Sequence, residues 1–228
     1  RLISLLEEFG FIYHGIKHNK YGDESVYIRD MTKTFDEQNP KFTYPFFKEN
    51  SKAYIVPIKP EYHTSLLPDS ILKTEKPADF VENESFRNAI SKVYISRSWF
   101  RDLHRGDTIV FYRTGGYYHA VISTIGVIES VVANIKDGKQ FIDLCRKRSV
   151  FSDKELLEWW DYNPRSRPFI VNFLYLYSFP KRLTMKRLME IGVIADISSA
   201  PRGFELIKQE KFEQILKETQ TDESLIVH

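Results

Sequence analysis

The sequence predicts an α+β fold, and three observations predict it. Between positions 53 and 218, about six segments alternate apolar and polar residues with the period of strands. Helical segments lie between them without a regular strand–helix rhythm, which disfavours a doubly wound sheet. Aromatic residues make up 14% of the chain, with 17 Phe and 13 Tyr, and such side chains pack well on pleated surfaces. The 228 residues, 42% of them hydrophobic, suffice for one large domain or a smaller domain plus a fragment.

Taken in order, 1–9 reads as a helix with Leu2, Leu5, Leu6 and Phe9 on one face, stopped by Gly10. FIYHGIKHN and ESVYIRDM alternate as two strands around the turn KYGD. Residues 32–52 follow neither period, contain two prolines and read as a linker held to a surface by its aromatics. AYIVPIK is the next strand, and Pro60 opens a short helix, where its missing N–H is harmless. A loop is expected over 68–82, a helix capped by Asn83 through Ile90, and a strand over 92–96. A short helix carrying Trp99 should follow, then a Gly106–Asp107 turn, the strand TIVFYR, a Gly115–Gly116 turn and a long strand over 118–131. Helices are expected over 137–148 and, from a Ser152/Glu155 capping box, through Trp160. FIVNFLYLYSF is a long strand, Thr184 caps a helix ending at Gly192, FELI is a short strand and 209–218 the final helix. Residues 219–228 are polar and expected to form a flexible tail.

Charge and cysteine narrow the function classes. The net charge of +2, from 33 basic and 31 acidic side chains, is no global footprint of a nucleic-acid binder. Basic residues nevertheless group locally, with Lys92, Arg97, Arg101, Arg105 and Arg113 set against Asp102 and Asp107. Further groups follow at Arg146–Lys147–Arg148, Arg165 and Arg167, and Lys181 to Arg187, while acids collect around Glu75, Asp79, Glu82 and Glu84. The single cysteine, Cys145, excludes an intrachain disulfide and a thiolate cluster and reads as a small buried residue. The histidines show no ligand spacing, because His14 and His18 fall in a hairpin rather than on a helix. There is no apolar run of about 18 residues and no signal-peptide pattern, so no membrane partner is expected and the expected location is cytoplasmic. The chain opens at Arg1 inside an amphipathic helix, which predicts a piece of a longer protein.

Over 53–218 the ordered series IKPEY, a strand before the Trp99 segment, GDTIVFY, IGVIESV, and PFIVNFLYLY followed by RLTMKRL resembles the PUA-like superfamily in its EVE and ASCH branches. That resemblance implies an open β-barrel with inserted helices that grips RNA or a modified base. The compact family form lacks the insertion over 68–90. Among ASCH-like hydrolases a lysine and an acid near the first strand matter, and Lys59 and Glu61 match those positions. Residues 1–31 resemble the C-terminal end of a GNAT-type N-acetyltransferase, through Gly10-Phe11, Gly22-Asp23-Glu24 and Val26-Tyr27. This implies a helix and hairpin remnant of that fold, an upstream acetyltransferase-like domain as partner, and acetyl-CoA as a cofactor of the parent chain. The phosphate-cradling glycine loop for acetyl-CoA is absent here, so no cofactor is expected within this segment.

Three constellations carry candidate chemistry. Arg97-Ser98-Trp99 offers the ring stacking and edge hydrogen bonds with which proteins read unpaired bases. Tyr112 and Arg113 alternate in a strand, so only one can face a pocket; Tyr112 is expected there and Arg113 at the rim. Trp159 and Trp160 diverge by about 100° on a helix, so one can be buried while the other forms a platform beside Arg165 and Arg167. The expected base-binding set is Arg97, Ser98, Trp99, Tyr112 and Trp160, with Arg101, Arg113, Arg165 and Arg167 on phosphate. No catalytic residue and no metal ligand is assigned, and the expected partner is RNA or another nucleic acid.

Overall fold

A computed structural model describes residues 2–70, 86–117 and 119–228. Arg1, Tyr118, the acidic group at Glu75 to Glu84 and the first three residues of the helix expected from Asn83 lie outside the described residues, and the rest of that expected helix, 86–90, is turn and bend rather than helix.

The core is one six-stranded sheet built from β4 (Ala53–Ile58), β5 (Ser91–Ser96), β6 (Thr108–Arg113), β7 (Val121–Val132), β8 (Phe169–Ser178) and β9 (Glu205–Ile207). For consistent labels, β1 (Ile12–Asn19), β2 (Gly22–Ile28), β3 (Phe47–Lys48) and β10 (Ile226–Val227) are the remaining strands. The sheet order is β5-β8-β7-β6-β4-β9, antiparallel except for the parallel pair β4 and β6. Register shifts at Ile125/Gly126 and Ile128/Ser130 break the β7–β8 ladder, and such bulges bend a sheet. Gly126 permits the tight approach there, since a Cβ would stand 2.8 Å from the Leu174 carbonyl oxygen. The curl brings edge strand β5 toward β4: the Tyr94 hydroxyl donates to the Pro57 carbonyl at 2.6 Å, and its ring meets Phe111 and Phe204.

Both faces of the central strands are covered. Ile109, Phe111, Ile128 and Phe173 pack with Tyr54 and Val56 in one cluster. Val110, Tyr112, Ile122 and Ile125 pack in another beneath α5 (Met185–Glu190) and α6 (Gln209–Glu218). A third cluster joins Val93, Ile95 and Ile170 to α3 (Gly138–Cys145) and α4 (Asp153–Asp161). The expected caps form: Asp137 accepts from the Gln140 N–H, Ser152 and Glu155 make a reciprocal box, and Thr184 accepts from the Arg187 N–H. Cys145 is buried in the third cluster, and burial pushes its thiol up to about 12.

Two further expectations are corrected. The Trp99 segment is not helical: the Ser96 hydroxyl accepts from the Ser98 N–H at 3.0 Å and the Ser98 hydroxyl from the Phe100 N–H at 3.2 Å. Such local side-chain bonds compete with the first helical turn. Residues 219–228 are not a loose tail, because β10 pairs in parallel with β3, and Thr219 and Ile226 are buried.

The N-terminal hairpin of β1 and β2, preceded by α1 (Leu2–Glu8), is its own two-stranded sheet. It touches the barrel through residues of the 32–52 segment. Phe9 meets the Tyr44 ring edge-on at 5.6 Å, and Lys41 bridges Glu8 at 2.9 Å and Glu129 of β7 at 2.8 Å. Phe46 and Phe47 anchor that segment in the barrel.

Candidate ligand-binding pocket

The C-terminal end of β4, Thr114 just beyond β6 and the edge strand β5 open onto a cavity of about 780 Å³. Its floor is Tyr94, Ile95 and Phe204. One wall is Tyr62 and Leu66, on α2 (Pro60–Leu66), with Phe151 and Trp159 beside them. The other wall is the 97–100 segment and the chain from Pro201 to Glu205. The size and the aromatic lining with a few polar groups suit a small flat ligand.

Trp99 stands at this cavity with 94% of its surface exposed. Arg97 and Ser98 line the cavity beside it. The Arg97 guanidinium lies 5.3 Å from the Tyr162 ring centre and 5.8 Å from that of Trp159, and donates to the Ser166 carbonyl. Burial, with the nearby Arg167, lowers its pKa.

The other expected residues go elsewhere. Tyr112 is 2% exposed and belongs to the cluster beneath α5 and α6, so it is not a pocket residue. All six residues of β6 are buried, and a strand covered on both faces has no solvent-facing side to give to a pocket. Arg113 is also buried and lies under Gly115 rather than among the pocket residues. Trp160 is in the core with Leu156, one helical turn away on the same face, and stacks on Phe141. The pocket-lining member of the pair is Trp159. The Leu156–Trp160 spacing could have assigned the two.

Arg101 and Arg167 are tied down. Arg101 donates to the Arg167 carbonyl at 2.9 Å and lies over the Phe169 ring at 4.8 Å. Arg167 donates to the Trp160 carbonyl, lies over its ring at 4.6 Å and faces Asp161 at 3.4 Å. Arg165 is exposed, with its backbone N–H on the Asn163 side chain. Lys59 lines the pocket, and its ammonium is 3.9 Å from Glu61, with both side chains exposed.

Sequence reasoning did not find two buried polar features. The His63 Nε2 is 2.7 Å from the Ser123 hydroxyl, which continues through Thr124 to Ser70. Lys92 is 1% exposed, with its ammonium donating to the Phe86 and Arg87 carbonyls at 2.7 and 2.9 Å. Burial lowers its pKa to about 8. Among the described residues no group of three or more His, Cys, Asp or Glu side chains could hold a metal, and no helix is long and apolar enough to cross a membrane.

No family model matches the sequence, and no curated protein does. Solved structures do. The ASCH protein from Zymomonas mobilis matches with a TM-score of 0.50 and 11% identity, over 73% of this chain and 94% of that one. A point mutant of the same protein matches at 0.51 and 11%, over 74% and 96%. The human THYN1 protein in complex with 5-methylcytosine containing DNA is more distant, at 0.39 and 12%, over 75% and 99%. The curled sheet with its inserted helices therefore shares the fold of the ASCH protein from Zymomonas mobilis.

Proposed function

We propose that the pocket binds an unpaired base of a nucleic acid, RNA or a strand carrying a modified base. The observation that carries this reading is Trp99, which exposes 94% of its surface at the edge of an aromatic cavity. An indole left in water gives up the burial free energy of a large ring, so its position favours a partner that covers it. Trp159 and the Arg97 guanidinium supply further flat surfaces at the same cavity, and Ser98 supplies a hydroxyl. Stacking on such planes combined with edge hydrogen bonds is how proteins hold splayed-out bases.

The test is Trp99→Ala, titrated by anisotropy with labelled single-stranded RNA and DNA of mixed sequence. Stacking is worth about 1–3 kcal/mol per base, so affinity should fall about 5- to 150-fold. The melting midpoint should stay unchanged, because an exposed side chain contributes little to folding. Unchanged affinity, or no binding of either strand by the wild type, would sink the reading.

A second reading is favoured by the exposed apolar side chains of the N-terminal unit, among them Leu2, Ile12 and Ile16. A helix and hairpin that belong to a larger acetyltransferase-like domain would display them. The barrel would then recognise the substrate, and acetyl-CoA would bind the preceding domain. A chain that includes that domain should bind acetyl-CoA in calorimetry; failure to do so overturns this reading.

A further inference from the structure

Most arginines near the pocket are already employed. Arg97, Arg101 and Arg167 each donate to a backbone carbonyl and lie over an aromatic ring. A cation fixed this way is poorly placed to follow a phosphate. Two pocket-lining cations, Lys59 and Arg202, are less committed. Among the described residues Lys59 has a single 3.9 Å approach to Glu61, with its side chain 69% exposed. Arg202 is exposed, and its guanidinium makes a 3.4 Å contact with the Ser198 carbonyl, at the weak limit of a hydrogen bond.

The topology brings these two together. β9 runs antiparallel to β4, with Ile55 opposite Glu205 and Ala53 opposite Ile207. The chain just before β9 therefore runs toward the Pro57–Lys59 end of β4. Its backbone is held on both sides of Arg202. Pro201 is buried, and Phe204 is 3% exposed against the Tyr94 and Phe169 rings. Gly203 is seated on Ser98, where a Cβ would stand 2.6 Å from the hydroxyl oxygen. A backbone packed on both sides thus presents a weakly held guanidinium at the cavity that the weakly held Lys59 ammonium also lines.

We propose that Lys59 and Arg202 form a phosphate-binding lip, so that the pocket takes a nucleotide unit, its base on the aromatic walls and its phosphate on this pair. This rests on the base-binding reading above and adds to it the charged half of the ligand. The lip differs from the phosphate set Arg101, Arg113, Arg165 and Arg167 expected from sequence. Glu61 and Glu205 stand at the same lip, and the Glu205 carboxylate accepts from the Arg202 N–H at 3.2 Å. Their charge opposes a phosphate and keeps its affinity modest.

The experiment compares one mixed-sequence RNA hexamer in two forms, phosphodiester and uncharged methylphosphonate, on the wild type, Lys59→Ala/Arg202→Ala and Trp99→Ala. The wild type should prefer the phosphodiester, and the double variant should bind both forms alike. Two lost contacts to a single strand should remove about 1.4 from the salt slope, so a tenfold rise in salt weakens the wild type about 25-fold more than the double variant. Nucleoside 5′-monophosphates, competed against the hexamer, show whether a terminal phosphate serves as well as one within a strand. A double variant that keeps the full preference for the phosphodiester, while Trp99→Ala weakens both forms, overturns the lip and leaves the pocket standing. Trp99→Ala without effect on either form overturns the pocket and the lip with it.

Discussion

The barrel and the N-terminal helix–hairpin unit are written in the same alternation of apolar and polar residues, and the two end in opposite environments. In β6 every side chain is buried, and Ile109, Val110 and Phe111 are 0% exposed. In the hairpin Ile12 is 62% exposed, Ile16 53% and Tyr13 54%. Periodicity therefore specifies the strand but not what covers it. In the barrel, the clusters beneath α5–α6 and α3–α4 close over the sheet. The hairpin has α1, itself without a buried residue, and a sheet of two strands, which is marginal by itself. Its link to the barrel is one buried ring, Phe9 on Tyr44, with the polar contacts of Lys41 between Glu8 and Glu129 and of Arg29 donating to the Phe42 carbonyl at 2.9 Å.

The largest expected effect tests that contrast directly. Phe173→Ala removes a ring that is fully buried against Phe111, 4.9 Å between centroids, and should cost about 3–5 kcal/mol. Ile16→Ser in the hairpin should change stability by less than about 0.5 kcal/mol. Chemical denaturation of the two variants measures both. A loss at Ile16 comparable to that at Phe173 would mean that the hairpin is part of the cooperative core, and the contrast would fail.

Much of the barrel was legible. The helix caps Asp137, Ser152 and Thr184, the stop at Gly192 and the strands of the sheet follow from turn chemistry and alternation that act within a few residues. What was not legible depends on packing at a distance. Tyr112 reads as a half-exposed strand residue, and only the helices arriving some 75 to 100 positions later bury it. The coil at Trp99 follows from two serine hydroxyls that act on the nearest N–H groups, a contest that propensity leaves undecided. Arg202 carried no local signal, because its place at the pocket comes from β9 pairing with a strand about 150 residues earlier.

A middle-sized effect sharpens the comparison at the pocket, where two stretches of one wall, 97–100 and 201–205, meet as closely as core elements do. Gly203→Ala would press a Cβ into the Ser98 hydroxyl at 2.6 Å and its Cβ at 3.1 Å. Overpacking of this kind costs about 1–3 kcal/mol and should also weaken the hexamer by shifting the Arg202 segment. Ser98→Gly in the same chain should recover most of the stability. A double-mutant cycle with no coupling between positions 98 and 203 would show that these two stretches of the wall are independent.

The last effect is spread over pH and concerns a charge buried beside the apolar core. Lys92 is buried, and burial holds its pKa at about 8, below the ordinary lysine value of 10.5. The sign follows from which state binds the proton. Between pH 8 and 10 the unfolded chain keeps Lys92 protonated while the folded chain releases that proton, so stability from this group rises with pH. The slope cannot exceed about 1.4 kcal/mol per pH unit for one proton. Cys145 acts oppositely above its ordinary value of 9.0, because the fold holds its thiol neutral while the unfolded chain ionises. Tyr54, with its pKa raised to about 12 chiefly by burial, does the same above 10. The clean readout is therefore the difference between the wild type and Lys92→Met, both unfolded by denaturant at several pH values from 7 to 10. The wild type should gain on the variant as pH rises through 8, since the methionine keeps the stem and removes the proton. A difference that stays flat across this range would mean that the ammonium keeps its charge in the fold, satisfied by the Phe86 and Arg87 carbonyls it already reaches.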